Sequence, residues 1–307
     1  MKNFEMSLQT PDYGFLINQI HRNLPTLPTI VHELTNVLHN PDESTFTVED
    51  VLIKDQSMTS KILRIANTTY YRGSRERVGD ASEAIGTLGF EKIRNVVLTT
   101  SVFKMFSAPT AEQKFSLENL WKHSLGVATA SRCLAKYLGR QWHESAYTCG
   151  LLHDIGKVAR YKLDENDGTQ VLIDDIQTAL DNKIGLIRAE IMNNSPRHDL
   201  LGYYICKNWG LSKDVENVVR WHHESNRTER SGQISEEGHD IVDTVFLANW
   251  LVNKKEFGFS GTQFPEQPSE AFLARLQLSP AHIEPIEEAV ENDLKLTKDF
   301  CDMLDGD

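Results

Sequence analysis

Apolar residues in this chain recur every three or four positions from near the start to near the end, and almost nowhere at every second position. That spacing belongs to helices, whose buried stripe repeats every 3.6 residues. After Pro25-Thr26-Leu27-Pro28 the apolar positions are Ile30, Val31, Leu34, Val37 and Leu38, one helical stripe with proline in its first turn. Thr47 to Lys54 reads as a short helix. Ser57 to Tyr71 reads as another, with Met58, Ile62, Leu63, Ile65 and Ala66 on its apolar side. Asp80 is placed to cap a helix over 81–88, and Gly89 to end it. Glu91 to Phe106 holds Val96-Val97-Leu98 and Val102-Phe103, which would also suit a strand; its length and its neighbours favour helix. Ile62, Ile65, Ile85, Leu88 and Val97 take a plain reading as core.

Ala108-Pro109-Thr110-Ala111 marks a boundary, dividing the chain into 1–108 and 109–255, with 256–307 as a helical extension. Beyond it Ser116 can cap a long helix that runs to about Leu138. A second helix should contain Glu144 to Ala159, followed by a polar loop over 163–168. Further helices are expected over 171–179, 184–192, 199–209, 213–223 and 241–252, and near 270–276 and 285–304. Glu224 to Gly238 is polar and contains glycine, which predicts a mobile surface loop. With no repeat and no alternating pattern, the expected fold is all-α.

Composition excludes several functions. The chain has 307 residues, ample for a core without disulfide or metal support. Its 32 Lys+Arg against 44 Asp+Glu leave a formal charge of −12, which opposes a broad nucleic-acid face but not a small basic pocket. Arg72, Arg75, Arg77, Lys92 and Arg94 are locally basic beside Tyr70 and Tyr71, yet Glu76 and Asp80 dilute them, as on a solvated or partner-contact face. No run approaches the roughly eighteen apolar residues of a membrane span. The first residues lack the apolar centre of a signal peptide. Cys133, Cys149, Cys206 and Cys301 are widely spaced, which fits reduced thiols in a cytoplasm.

The chemistry concentrates at Leu151-Leu152-His153-Asp154-Ile155-Gly156-Lys157. A His-Asp pair alone says little, and His198-Asp199 and His239-Asp240 repeat it. The first pair differs because it interrupts an apolar helix, so two polar side chains enter a buried face and need partners. Imidazole and carboxylate together suit Fe, Mn, Zn or Mg to differing degrees. Lys157 follows within one helical turn, and an ammonium there could hold a phosphate oxygen. Gly156 would let a ligand approach the backbone. His123 lies inside the long helix, His198 opens another, and His222 and His223 end a third. His21, His32, His39, His143, His239 and His282 read as ordinary surface or core histidines.

Together these stretches resemble the HDOD domains of bacterial signalling proteins. The resemblance rests on Leu24-Pro25-Thr26-Leu27-Pro28, on Ser57 to Asn67, on Glu83 to Gly89, and on the region from His123 to about Val252. It implies two packed helical subdomains, the second a bundle like that of the HD phosphohydrolases. It further implies a metal-ligand set of His123, His153, Asp154, His198, His222 and His223, holding one or two ions. Asp154 and Lys157 would be the catalytic groups of an active relative. Departures from the hydrolase pattern are plain. The late Ala-Asp motif reads Ala248-Asn249, and Asn119 stands where a third-metal Glu is expected. The Gly-Tyr-Pro motif is missing after Lys157, and Gly202-Tyr203-Tyr204 is not its equivalent. Asp243, six residues before Asn249, is rotated about 240° around the helix and should face elsewhere. The expected role is therefore a regulatory output module that binds a signalling protein or a small phosphorylated ligand, with or without metal. The alternative is a metal-dependent phosphohydrolase acting on a phosphodiester or nucleotide.

Overall fold

A computed structural model describes residues 11–23, 63–64, 66–67, 72, 77–89, 93, 95 and 115–305. The helices expected over 30–38 and 47–54, most of those over 57–71 and 91–106, the core positions Ile62, Ile65 and Val97, and the boundary at 108–111 lie outside these residues. Among the described residues every regular element is a helix. The elements that follow from the chain start are α1 (Tyr13–Asn23), α2 (Ala81–Leu88) and α3 (Leu117–Tyr137). Next come α4 (His143–Leu152), α5 (Ile155–Asp167), α6 (Val171–Asn182), α7 (Leu186–Met192) and α8 (His198–Asn208). The last are α9 (Lys213–Trp221), α10 (Glu236–Lys254), α11 (Glu270–Arg275) and α12 (Ile283–Asp305).

The helix α3 is the axis of the second subdomain. Ser116 caps it, its hydroxyl accepting from the Asn119 amide at 3.1 Å. Every residue from His123 to Arg132 is buried, so the helix is covered on all sides. Such a helix needs small residues where neighbours cross it. At Gly126 a Cβ would lie 2.6 Å from the Phe257 ring. On the α4 side the glycine belongs to the partner: a Cβ on Gly150 would stand 2.8 Å from Cα of Ala128. α12 closes the opposite side, with the Thr129 and Thr297 hydroxyls 3.1 Å apart.

Two expectations about the next helix are corrected. The predicted single helix through Glu144 to Ala159 is broken into α4 and α5 at His153 and Asp154, and the expected loop over 163–168 continues α5 to Asp167. Asp154 leaves helical geometry with φ −104° and ψ 14°. The break has a packing cause. Gly156 begins a helix that runs directly against α8, where a Cβ would fall 1.8 Å from the His198 carbonyl oxygen. A continuous helix could not turn into that contact. The glycine therefore serves close packing rather than ligand access.

The segment 224–238 is also not the loose loop that its composition suggests. It holds a short 3₁₀ turn at Arg227–Glu229, and two of its arginines are tied to α10. Arg227 Nε donates to Asp243 Oδ2 at 2.8 Å and its Nη2 donates to Asp240 at 2.7 Å. Arg230, with its side chain fully buried, donates to the other Asp243 oxygen.

The N-terminal part meets this bundle through specific contacts. α2 is capped by Asp80, which accepts from the Glu83 amide at 2.7 Å, and Ile85 and Leu88 are buried as expected. Asn95 donates to Glu144 at 2.8 Å and accepts from the Thr148 hydroxyl at 2.7 Å, joining it to α4. α1 was not apparent in the sequence. Its Asp12 cap accepts from the Phe15 amide at 3.0 Å, and its Tyr13 hydroxyl accepts from the Arg197 amide at 3.0 Å, one residue before α8. None of the described helices is long and apolar enough to cross a membrane, and all four cysteines are free.

Candidate metal centre

The break between α4 and α5 aims both members of the His153-Asp154 pair into the interior. Asp154 is 1% exposed and lies at the centre of the cluster. Its Oδ1 is 3.3 Å from His222 Nε2 and 3.6 Å from His198 Nε2. Its Oδ2 is 3.2 Å from His153 Nε2 and 4.0 Å from His123 Nε2. His223 joins from the α9 end, its Nε2 2.9 Å from His198 Nε2. All six residues singled out in the sequence thus meet. They form two sets that share one carboxylate: Asp154, His198, His222 and His223 on one side, and His123, His153 and Asp154 on the other.

The hydrogen bonds fix which ring nitrogens face inward. His153 Nδ1 is 2.7 Å from the Gly150 carbonyl, and His222 Nδ1 is 3.1 and 3.0 Å from the Val218 and Val219 carbonyls. A carbonyl can only accept, so each Nδ1 donates and each neutral ring keeps a lone pair on Nε2. His198 Nδ1 is held in the same way by Glu190 Oε1 at 2.7 Å. Three Nε2 lone pairs therefore converge on a carboxylate. Among the described residues, His153 Nε2, His222 Nε2 and Asp154 Oδ1 are buried without a hydrogen-bond partner. Buried polar atoms seldom stay so, and a cation in the first set would satisfy His222 Nε2 and Asp154 Oδ1 together.

The electrostatics run the same way. Burial, followed by the neighbouring Asp154, Lys157 and other rings, sets the histidine charges. His123 falls to about 3 through burial and then through His153. Burial is also the largest cause lowering His153 and His223, so these rings are neutral, the form that binds metal. Burial pushes the Asp154 carboxyl up, yet it is held well below the usual range, with the Lys157 ammonium 2.7 Å from Oδ2.

His123 and Lys157 stand apart from the rest. His123 Nε2 is 3.1 Å from Asn249 Oδ1, and Asn253 Nδ2 donates to that same oxygen at 2.7 Å. The amide oxygen is thereby turned toward His123, whose Nε2 must donate. Lys157 is 1% exposed and donates to Asp154 Oδ2 at 2.7 Å. On this side of Asp154 an ammonium and an amide occupy positions where a second ion would need free lone pairs. Asp243 faces away, as its helical angle predicted, among Arg227, Arg230 and Arg275. Asp199 turns to Arg197 and Arg220, and Asp240 to Arg140 and Arg227, so neither of the other two His-Asp pairs adds a carboxylate.

Sequence reasoning missed the residues behind His198. Glu190, fully buried on α7, accepts from His198 Nδ1 and from Arg160 Nη1 at 2.5 Å; Arg160 Nη2 also donates to Asp175 at 2.5 Å. Burial pushes the Glu190 carboxyl up, while His198 and Arg160 prevail and lower it. Its one sequence signal is a charged residue beside Ala189 on the buried side of a short apolar helix.

A cleft of about 240 Å³ opens beside His222, His223 and Asn249, its walls drawn from the 183–188 segment, α10 and residues 262–266. Comparison with known proteins agrees with this architecture. The described helices match three solved structures of related shape. An HDOD domain protein of unknown function from Geobacter sulfurreducens is 24% identical, with TM-score 0.67, covering 94% of this chain and 93% of that one. A protein named "Putative phosphohydrolase" from Shewanella amazonensis SB2B is 21% identical, with TM-score 0.64 and coverage of 92% and 97%. A protein named "Putative signal transduction protein" from Marinobacter aquaeolei VT8 is 16% identical, with TM-score 0.73 and coverage of 98% and 68%. The chain spans about half the length, 46%, of the curated relative it matches. The HDOD domain family matches residues 24–225, which take in the N-terminal stretches, the His153-Asp154 turn and the histidine doublet alike. With that match spanning most of the sequence, and an all-helical fold that brings its histidines together, the chain belongs to the HDOD family.

Proposed function

We propose that this chain is a bacterial regulatory output module whose second subdomain holds one divalent ion, Fe, Mn or Zn, at Asp154, His198, His222 and His223. The observation that carries this reading is the convergence of Nε2 atoms on Asp154 Oδ1 with each Nδ1 of His198 and His222 held from behind. An ion there would supply Lewis-acid chemistry and lower the pKa of a bound water. The chain's own residues do the rest. Glu190 orients His198, and the α9 carbonyls orient His222. Lys157 balances the charge of Asp154. On the other side, His123 and Asn249 hold each other, which leaves His123, His153 and Asp154 a poorer set for a second ion. The module would pass its state to a signalling protein, or respond to a small phosphorylated ligand.

Elemental analysis of protein purified without a metal-affinity tag tests this. We expect about one equivalent of a first-row metal, lost in His222→Ala. Metal-free protein that stays so after reconstitution would end the proposal. A second reading, phosphohydrolase activity, draws on the cleft, which reaches His222 and His223. Metal-replete protein should then hydrolyse bis(p-nitrophenyl) phosphate, with the activity absent from His222→Ala.

A further inference from the structure

The cleft beside the histidines is built from two chemically different parts. One wall carries Lys183 and Arg188, both exposed, and among the described residues neither is in an ion pair. The other carries the rings of Phe246, Trp250 and Phe264. Lys254 lies over the Trp250 ring, 5.2 Å from its centroid. Between the walls sits Thr262, 7% exposed, whose Oγ1 is buried with no hydrogen-bond partner. A buried hydroxyl left unpaired inside a cleft points to a group that is to be bound there. The one carboxylate at the rim, Glu266, accepts from the Ser225 hydroxyl at 2.9 Å.

We infer that this cleft binds a phosphomonoester carrying a single aromatic ring, a molecule of nucleoside monophosphate size. Lys183 and Arg188 take the phosphate, Thr262 takes a sugar or phosphate oxygen, and the ring packs on Trp250 and Phe264. The part of the cleft beside the histidines, about 240 Å³, is matched to one ring, and past Trp250 and Phe264 it adjoins a more open cavity of about 780 Å³. Arginine is suited to the phosphate because its planar fork matches two oxygens at once. The inference rests on the metal-centre reading for what lies at the cleft floor, and it adds the class of ligand.

The test is calorimetric titration of the full chain with adenosine 5′-monophosphate, adenosine and ribose 5-phosphate, with metal content measured on the same sample. Adenosine 5′-monophosphate should bind at least about tenfold more tightly than either half, since a charged hydrogen bond and a stacked base each contribute about that factor. Arg188→Gln and Lys183→Gln, at exposed positions, should weaken it about tenfold and leave adenosine unchanged. Trp250→Leu, or Phe264→Leu should the first not fold, should weaken both ring-bearing ligands and leave ribose 5-phosphate unchanged. Absence of binding, equal affinity for all three ligands, or variants that bind like the parent would overturn the inference. A sample that holds metal but not the monophosphate ends this inference and leaves the metal centre standing. A sample that ranks the ligands as expected without metal does the reverse.

Discussion

Asp154 and Asp243 are both buried in the second subdomain, and the chain treats them in opposite ways. Asp243 is enclosed by guanidinium groups, with Arg227, Arg230 and Arg275 all within ion-pair distance. Asp154 has one such partner, Lys157, on Oδ2, while Oδ1 faces imidazole nitrogens that have no proton to give. A buried carboxylate is costly unless its charge is matched. Around Asp243 the match is built from the chain itself. Around Asp154 it is left half made. On the proposed reading the difference separates the aspartate that serves structure from the one that would serve an ion, although sequence places both in apolar helical surroundings.

The largest effect should come from breaking the first of these. Asp243→Asn leaves Arg230 buried without its counter-charge and frees the 224–238 segment. We expect a loss of about 3–5 kcal/mol in urea unfolding with metal content per folded chain unchanged. A loss under 1 kcal/mol, by order of magnitude, would show that the arginines are mutually well solvated instead. Next comes Glu190→Gln, which keeps the volume but weakens the hold on His198. Metal affinity should fall roughly 10–100-fold, about 1.4–2.7 kcal/mol, read by competition with a chelator. An unchanged affinity would remove Glu190 from the centre. The third contrast is with pH. His123 is lowered to about 3 in the folded chain, against about 6.5 when unfolded. Its folded pKa is depressed, so the unfolded chain takes up the proton first. Stability is therefore full above about 6.5 and falls as pH drops toward 3. At pH 5 His123 alone should cost about 2 kcal/mol. His123→Gln should flatten the slope in thermal melts across this range; a slope unaltered in that variant would place the proton uptake elsewhere.

Periodicity located the helices, capping residues such as Asp80 and Ser116 fixed their starts, and the six ligand candidates were brought together by the resemblance to HDOD domains, since a lone helix histidine is by itself an ordinary residue. What could not be read were interactions made by contact between distant segments. The helix break at His153-Asp154 depends on how α5 meets α8, and no local pattern records that meeting. Glu190 carries a role only because α7 lies behind His198. The arginines of 227 and 230 looked like solvated loop residues until Asp243 was placed opposite them. Asn249 was recognised as a departure, but its effect, turning His123 Nε2 into a donor, needed Asn253 in position beside it.

The turn that carries His153 and Asp154 is pressed from both ends, by Gly150 on the backbone of Ala128 and by Gly156 on the carbonyl of His198. Neither glycine can shift without opening a helix contact. If the centre binds an ion as proposed, the time course of uptake should be set by passage through the cleft and shedding of hydration water, since little rearrangement of the ligands remains to slow it. Release should be slow for the same reason: a fixed turn offers no partly detached state through which an ion could leave one ligand at a time.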